Sequence, residues 1–201
     1  HGVKPIIGCE MYISPGSRFD QKYDSKKEAF FHLTLLARNN QGYQNLLKLS
    51  TLSYTEGFYY KQRIDRELLA QNCEGLIILG GCLKGEVSVY LLNNDIKKAE
   101  DTVTFYQDIA GKENFFLELM DNKLPEQDRV NKMFLELADR TGAGIVATND
   151  CHYIKKEDAF AHEVLLCVQT LSHIEDKDRM RFQTDEFYFK NPDEMYEAFR
   201  D

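Results

Sequence analysis

Short apolar segments with strand character alternate with helical segments along most of this chain of 201 residues. Strands are predicted over 6–13, 32–37, 76–79 and 115–120, and in a segment beginning at Gly144. This alternation is typical of βαβ units and predicts an α/β fold with a mainly parallel sheet, either open and doubly wound or closed into a barrel. No glycine-rich phosphate-binding loop follows a strand, so a barrel or part of one is favoured.

Helices are indicated by N-caps and by apolar residues spaced three and four apart. They are predicted over 44–54, 86–111 and 156–169, after the cap residue Asp65, and from Pro125 to the stop at Gly142. In the third of these ranges the residues predicted to point inward are Val164, Leu165 and Val168. The pattern lapses over 170–186, and a capped helix near Asn191 predicts the entry to another module.

Composition narrows the class of protein. Hydrophobic residues make up 43% and charged residues 29%, which is ordinary for a globular domain. No apolar run approaches the roughly 20 residues that cross a bilayer, and the five cysteines include no C-x-x-C pair, so we expect a cytoplasmic protein with reduced thiols. The net charge of −8 predicts repulsion from a phosphate backbone, so contact with nucleic acid would depend on metals or on other parts of a larger protein.

The segment beginning at Gly144 ends in the pair Asp150 and His152. Side chains two apart on a strand point to the same side, so the two could hold one metal ion. A carboxylate oxygen and an imidazole nitrogen suit zinc, manganese or iron. Taken alone, however, an Asp-x-His pair is more often a surface turn than a metal site.

Three further candidate ligands stand on or just after predicted strands: Glu10, His32 and Cys82. In a parallel barrel the strand ends share one face, which would gather these side chains with Asp150 and His152 in one cleft. Each also has a structural reading, as a solvated acid, a half-buried histidine or a small buried thiol. We name Asp150 and His152 as the catalytic candidates and all five residues as candidate metal ligands.

Three weaker candidates complete the set. Glu118 alternates with Leu117 and Leu119, so it is either a carboxyl group that orients a ligand histidine or an inward residue with its own hydrogen bonds. Lys61 and Arg63 lie in a stretch of aromatic and basic residues and could contact a phosphate. Such stretches are more often loops whose long side chains lie along the surface.

Six separate strings stand out in order along the chain: Val3–Glu10, His32–Ala37, Gly57–Lys61, Gly80–Glu86, Leu124–Gln127 and Ala147–Tyr153. Together they closely resemble the polymerase-and-histidinol-phosphatase (PHP) domain of bacterial replicative DNA polymerase III alpha subunits. Two further stretches, Arg181-Phe182 and 185–188, resemble the link from that domain to the polymerase palm.

The resemblance implies a distorted barrel of about seven βα units with up to about three divalent metal ions, such as zinc, manganese or magnesium. Its ligand pattern falls on the same five residues. The family's opening His-x-His and Asp-His motifs have no counterpart and would precede His1, so we expect an N-terminally truncated fragment lacking the first βα units. Asn122-Lys123 stands where the family pattern has His-Gly. We assign 1–170 to the partial barrel and 171–201 to a connector and the start of the palm region.

By this resemblance the parent protein is a DNA-directed DNA polymerase, with DNA, deoxynucleoside triphosphates, a sliding clamp and a proofreading subunit as partners, and no membrane. The chemistry implied for this segment is metal-dependent phosphoester hydrolysis, as 3′–5′ exonuclease proofreading or pyrophosphate hydrolysis. Two alternatives stay open. One is a stand-alone phosphatase of the same superfamily, acting on a substrate such as histidinol phosphate. The other is a non-catalytic scaffold.

Overall fold

The structure, a computed structural model, describes residues 2–21 and 30–200, so His1 and the last residue of the predicted connector lie outside the described residues. Its strands are β1 (Gly8–Ile13), β2 (Phe31–Ala37), β3 (Arg63–Ile64), β4 (Leu76–Leu79), β5 (Phe115–Met120) and β6 (Gly144–Thr148). Its α-helices are α1 (Asn40–Thr55), α2 (Arg66–Gln71), α3 (Glu86–Leu92), α4 (Ile96–Ala110), α5 (Pro125–Thr141), α6 (Ala159–Thr170) and α7 (Pro192–Ala198). Single 3-10 turns cover Lys112–Asn114 and Lys156–Asp158.

Most of the predicted elements are confirmed. The Asp65 side chain accepts a hydrogen bond from the Leu68 amide and begins α2, and Asn191 caps α7 in the same manner. Helix α1 starts earlier than predicted because Asn39 caps it by accepting from the Gly42 amide. The helix predicted over 86–111 is present but divided into α3 and α4.

The sheet is mixed, whereas a mainly parallel sheet was predicted. The strand order is β3-β1-β2-β4-β5-β6, and β2 pairs antiparallel with both β1 and β4, while β1–β3 and β4–β5 are parallel. Two parallel neighbouring strands need a long crossover connection, which is usually a helix. No helix was predicted between the first two strands, which is consistent with their antiparallel pairing. Among the described residues the sheet is open. The predicted α/β class is confirmed, and the architecture is consistent with a fragment of a PHP-type barrel.

The two faces of β1 and β2 differ because alternate side chains point to opposite sides. One face is the core, where Met11, Ile13, Leu33 and Leu35 are at most 3% exposed, and burial of each such side chain contributes roughly 1.5–3 kcal/mol. The other face carries Glu10, Tyr12, His32 and Thr34, which are only partly covered or exposed. The sheet therefore holds polar side chains on a rigid apolar base.

The chain divides into two compact units. The first runs to Glu118 and includes Met133–Val146, and the second comprises Leu119–Lys132 and the chain from Ala147 onward. Within the part that the structure describes, no helix has the length and apolar character needed to span a membrane.

The inward face predicted for α6 is wrong. Val164, Leu165 and Val168 are 41%, 63% and 68% exposed, and the buried residues are Leu166 and Cys167. Apolar residues occur around most of this helix, so their spacing does not select one buried face.

Candidate metal centre

Strand pairing brings Glu10 and His32 together. In the antiparallel register Glu10 lies opposite Thr34 and Tyr12 lies opposite His32, so Glu10 and His32 are diagonal neighbours on one face. A carboxylate oxygen of Glu10 is in direct contact with Nδ1 of His32. Their proximity thus comes from antiparallel pairing and not from strand ends of a parallel barrel.

Cys82 reaches the same place from β4. Because β4 runs antiparallel to β2 with Leu79 opposite Thr34, the chain beyond Leu79 continues towards His32. The Cys82 Sγ lies 3.7 Å from His32 Nδ1. One ligand atom from each of Glu10, His32 and Cys82 lies within 4.8 Å of the other two.

The three donors fit a divalent metal ion. Zinc binds sulfur at about 2.3 Å and imidazole nitrogen at about 2.0–2.1 Å, so two such ligands of a tetrahedral ion lie roughly 3.6 Å apart. The observed Sγ–Nδ1 distance of 3.7 Å is close to that separation. A set of one sulfur, one nitrogen and one oxygen favours a borderline ion such as zinc over magnesium, which prefers oxygen ligands alone.

Aromatic side chains surround His32. Its ring lies 5.1 Å from that of Tyr12, in an edge arrangement, and 6.1 Å from that of Phe30, in a stacked one. Burial raises the pKa of Tyr12, and the nearby Glu10 and Cys82 raise it further. Tyr12 therefore remains a protonated hydroxyl donor near neutral pH. The sequence search missed Tyr12, although its position two residues after Glu10 places it on the same face.

Glu118 is buried on β5, and its Oε2 accepts a hydrogen bond from the Gly81 amide at 2.5 Å. Gly81 directly precedes Cys82, so this carboxyl group contacts the backbone of the loop that carries the candidate thiol ligand. The sequence left open whether Glu118 would contact a histidine or make other hydrogen bonds.

Asp150 and His152 belong to the second unit, just beyond β6. The His152 Nε2 lies 3.4 Å from an Asp150 oxygen, so the two side chains share one side of the chain. Three rings lie near His152, with centroids 4.7 Å, 5.7 Å and 5.6 Å away, and they belong to Phe182, Phe187 and His162.

His162, on α6, lies beside the candidate ligand His152 and was not among the residues predicted for the site. Burial lowers the pKa of His162, and the neighbouring His152 lowers it further. A pocket of about 210 Å³ adjoins it, also lined by Tyr153, Phe160, Phe182 and Asp185. Nothing in the sequence indicated that Phe182 lies beside His152, since residues 170–186 show no periodic pattern.

Lys61 and Arg63 occupy different environments. Arg63 is 5% exposed, and its guanidinium donates to the backbone carbonyls of Gly57, Arg18 and Asp20. Those donors bind the protein itself. The Lys61 Nζ lies 5.8 Å from the centre of the Tyr12 ring, beside the candidate metal centre.

The backbone conformation of the loop at Asn122-Lys123 explains why the family pattern has a glycine at the second position. Lys123 adopts a φ of +54°, a left-handed conformation that glycine occupies at little cost. Asn122 is 2% exposed. The local conformation is therefore compatible with the His-Gly pair that the resemblance implies, although the side chains differ.

Similarity to known proteins leads to the same family as the sequence motifs. The PHP domain family model matches residues 1–122. The chain is 49% identical over 195 residues to "DNA polymerase III subunit alpha" of Thermus aquaticus, covering 96% of the chain and 16% of that relative. Proteins of the same name from Deinococcus radiodurans and Treponema pallidum are 47% and 44% identical, each over 98% of the chain and over 15% and 17% of the relative. The chain thus spans about a sixth of the length of these curated relatives.

Proposed function

The chain belongs to the PHP domain family, and from this premise we propose that it forms the PHP segment of a bacterial DNA polymerase III alpha subunit. The intact protein would then extend DNA primers from deoxynucleoside triphosphates in the cytoplasm, with a sliding clamp and a proofreading subunit among its partners. We assign residues 1–170 to the PHP barrel and 171–201 to the connector leading into the polymerase region.

The activity proposed for this segment is metal-dependent hydrolysis of phosphoesters, as 3′–5′ exonuclease or pyrophosphatase. The grouping of Glu10, His32 and Cys82 carries this proposal, because the three donors lie within 4.8 Å of one another. Asp150 and His152 are proposed as further ligands, because their side chains approach to 3.4 Å in the second unit. Zinc is proposed as the ion because Cys82 contributes a thiol to the group of Glu10, His32 and Cys82.

The roles of the residues follow from their chemistry. Divalent ions held by these ligands would supply a nucleophilic water near neutral pH and would neutralise charge on the leaving oxygen. In the exonuclease reaction the water oxygen would bond to phosphorus as the bond to the 3′ oxygen breaks, and the proton released by the water would pass to that oxygen. Lys61 would contact a phosphate oxygen, and the Tyr12 hydroxyl would donate a hydrogen bond to one. The net charge of −8 makes such local contacts necessary, since the domain as a whole repels DNA.

A supporting role without hydrolysis is the second candidate. It is favoured by the apolar side chains of α6, where Phe160, Leu165 and Val168 are 63–68% exposed. Large apolar side chains exposed on one helix favour a contact between proteins or domains. The occupant proposed is the polymerase region of the intact protein, because the relatives extend over about six times this chain.

Metal content separates the two candidates. In the intact protein, His32→Ala and Asp150→Ala should each lower bound metal and exonuclease activity while sparing primer extension, since polymerisation uses other residues. Loss of a direct ligand should weaken metal binding at least as much as the roughly 10–100-fold typical of residues behind the ligands. The measurements are elemental analysis and cleavage of labelled single-stranded DNA.

Matched controls are His173→Ala, an exposed histidine in the connector, and Asp193→Ala, an exposed acid on α7. Both should retain metal and activity. Metal content unchanged in His32→Ala and Asp150→Ala would overturn the metal assignment and leave the supporting role.

A further inference from the structure

The loop that carries Cys82 is fixed to two strands by backbone hydrogen bonds. The Gly80 amide donates to the Phe116 carbonyl of β5 at 2.9 Å, and the His32 amide of β2 donates to the Lys84 carbonyl at 3.0 Å. Within the loop, the Gly85 amide donates to the Cys82 carbonyl at 2.8 Å. The position of Cys82 is therefore set by a tight turn tied to the strand that carries His32.

Gly81 is the point at which this loop is most constrained. Its φ is +81°, and a Cβ at this position would lie 2.6 Å from the carbonyl oxygen of His32. One side of the Gly81 backbone is thus pressed against β2. Its amide donates to Oε2 of Glu118 at 2.5 Å, which ties the same residue to β5.

A buried carboxyl group at this point requires an explanation. Glu118 is 3% exposed and stands beside Leu117, which is fully buried. Burial of a carboxyl group costs free energy that hydrogen bonds must offset, and an apolar side chain would fill the space without this cost. Glu118 offsets part of the cost through the amide of the residue before Cys82.

We propose that Glu118 is a positioning residue for Cys82. It acts through the Gly81 backbone to hold the Cys82 Sγ at a distance from His32 Nδ1 that lets both atoms bind the same ion. The inference rests on the metal centre proposed above. It differs from the usual arrangement, in which a carboxylate orients a ligand histidine through its ring nitrogen. Here the carboxyl group orients a thiol ligand by fixing the peptide unit that precedes it.

Cobalt substitution provides the test, because a thiolate bound to Co²⁺ gives a near-ultraviolet charge-transfer band that oxygen and nitrogen ligands do not. The intact protein is loaded with Co²⁺, and the part of this band that Cys82→Ser removes is assigned to Cys82. Glu118→Ala should lose most of that part and should raise the Kd for Co²⁺ by roughly 10–100-fold. Glu118→Gln should retain most of it, because the amide oxygen can accept the same hydrogen bond.

Two further variants separate positioning from stability. Val103→Ala truncates a fully buried residue on α4, which carries none of the proposed ligands, and should keep the Cys82 band despite lower stability. Glu118→Asp withdraws the carboxyl group by one methylene and should weaken the band; it serves in place of Glu118→Ala if that variant does not fold.

The outcomes are distinct. An undiminished Cys82 band in folded Glu118→Ala or Glu118→Asp would overturn the positioning role and leave the metal centre standing. A band in the wild-type protein that Cys82→Ser does not reduce would overturn the metal centre at this cysteine, and the positioning role with it.

Discussion

The side chains of the candidate metal centre differ in how strongly their surroundings restrict them. The His32 side chain is 17% exposed and enclosed by aromatic rings, whereas that of Glu10 is 51% exposed. Cys82 is fixed through its loop. A bound ion would therefore be accommodated mainly by rotation of the Glu10 carboxylate, since rotation of an exposed carboxylate costs less than movement of a buried loop.

The thiol of Cys82 provides a prediction at this scale. A thiol that binds a metal is deprotonated and shielded, so chelation should make Cys82 react faster with a thiol reagent at neutral pH. Mass spectrometry of the labelled intact protein would measure the rate at each cysteine. Two residues act as internal references: Cys151 is exposed and should react under both conditions, whereas burial raises the pKa of Cys73 to about 11 and should keep it inert. Equal Cys82 rates with and without chelator would count against the metal centre.

Secondary elements were predictable where the pattern was local. The apolar runs of β4 and β5 and the capped helix α2 could be read from short stretches of sequence. Strand direction could not, because it depends on the path of the connections. The candidate ligands Glu10 and His32 were therefore found for a reason that proved incomplete: they meet across antiparallel strands.

Two segments of the second unit are joined beside His152. The His152 amide donates to the Phe187 carbonyl at 2.8 Å, and Lys190 donates to Asn149 at 3.1 Å and to the Glu186 carbonyl at 2.7 Å. Residues of the connector thus fix the backbone around the Asp150 and His152 pair. Sequence reasoning missed this because the contacts of His152 with Phe187 and of Asn149 with Lys190 join positions 35 and 41 apart, with no periodicity to relate them.

Glu186 makes the stability of the contact between segments 149–156 and 186–190, called here the junction, dependent on pH. Burial alone would raise its pKa, but hydrogen bonds from Lys156 and Lys190 lower it below the usual value. A lowered pKa in the folded state stabilises the fold fully above the ordinary glutamate value, and this contribution is lost as the pH falls through the lower value. Glu186→Gln should therefore speed hydrogen exchange of segments 149–156 and 186–190 near pH 7, and the difference from wild type should shrink in acid.

Hydrogen exchange of the intact protein, expressed as the ratio of variant to wild-type rates at each pH, is the measurement. Glu197→Gln alters an exposed acid on α7 and should give a ratio near one throughout. A Glu186→Gln ratio that stays constant from neutral to acidic pH would show that the carboxylate does not stabilise the junction.

The whole molecule sets the limits of what residues 1–201 can do. The chain spans 15–17% of the length of these relatives. The family resemblance implies that a complete site also has ligands from a His-x-His pair and an Asp-His pair. Phosphoester cleavage by metals usually needs two ions about 3.5–4 Å apart. The three close donors Glu10, His32 and Cys82 are too few to hold two ions, so we expect appreciable hydrolysis to need further ligands.

We accordingly predict that residues 1–201 alone show neither primer extension nor appreciable cleavage of single-stranded DNA. A longer form that also carries the family's His-x-His and Asp-His motifs, without the palm, should recover cleavage that depends on manganese or zinc, because the resemblance implies that these motifs supply the remaining ligands. The paired assay uses labelled single-stranded DNA, with Asp150→Ala in each form as the control for cleavage at this site. Vigorous cleavage by residues 1–201, abolished by Asp150→Ala, would contradict the prediction, since the ligands present would then suffice for hydrolysis.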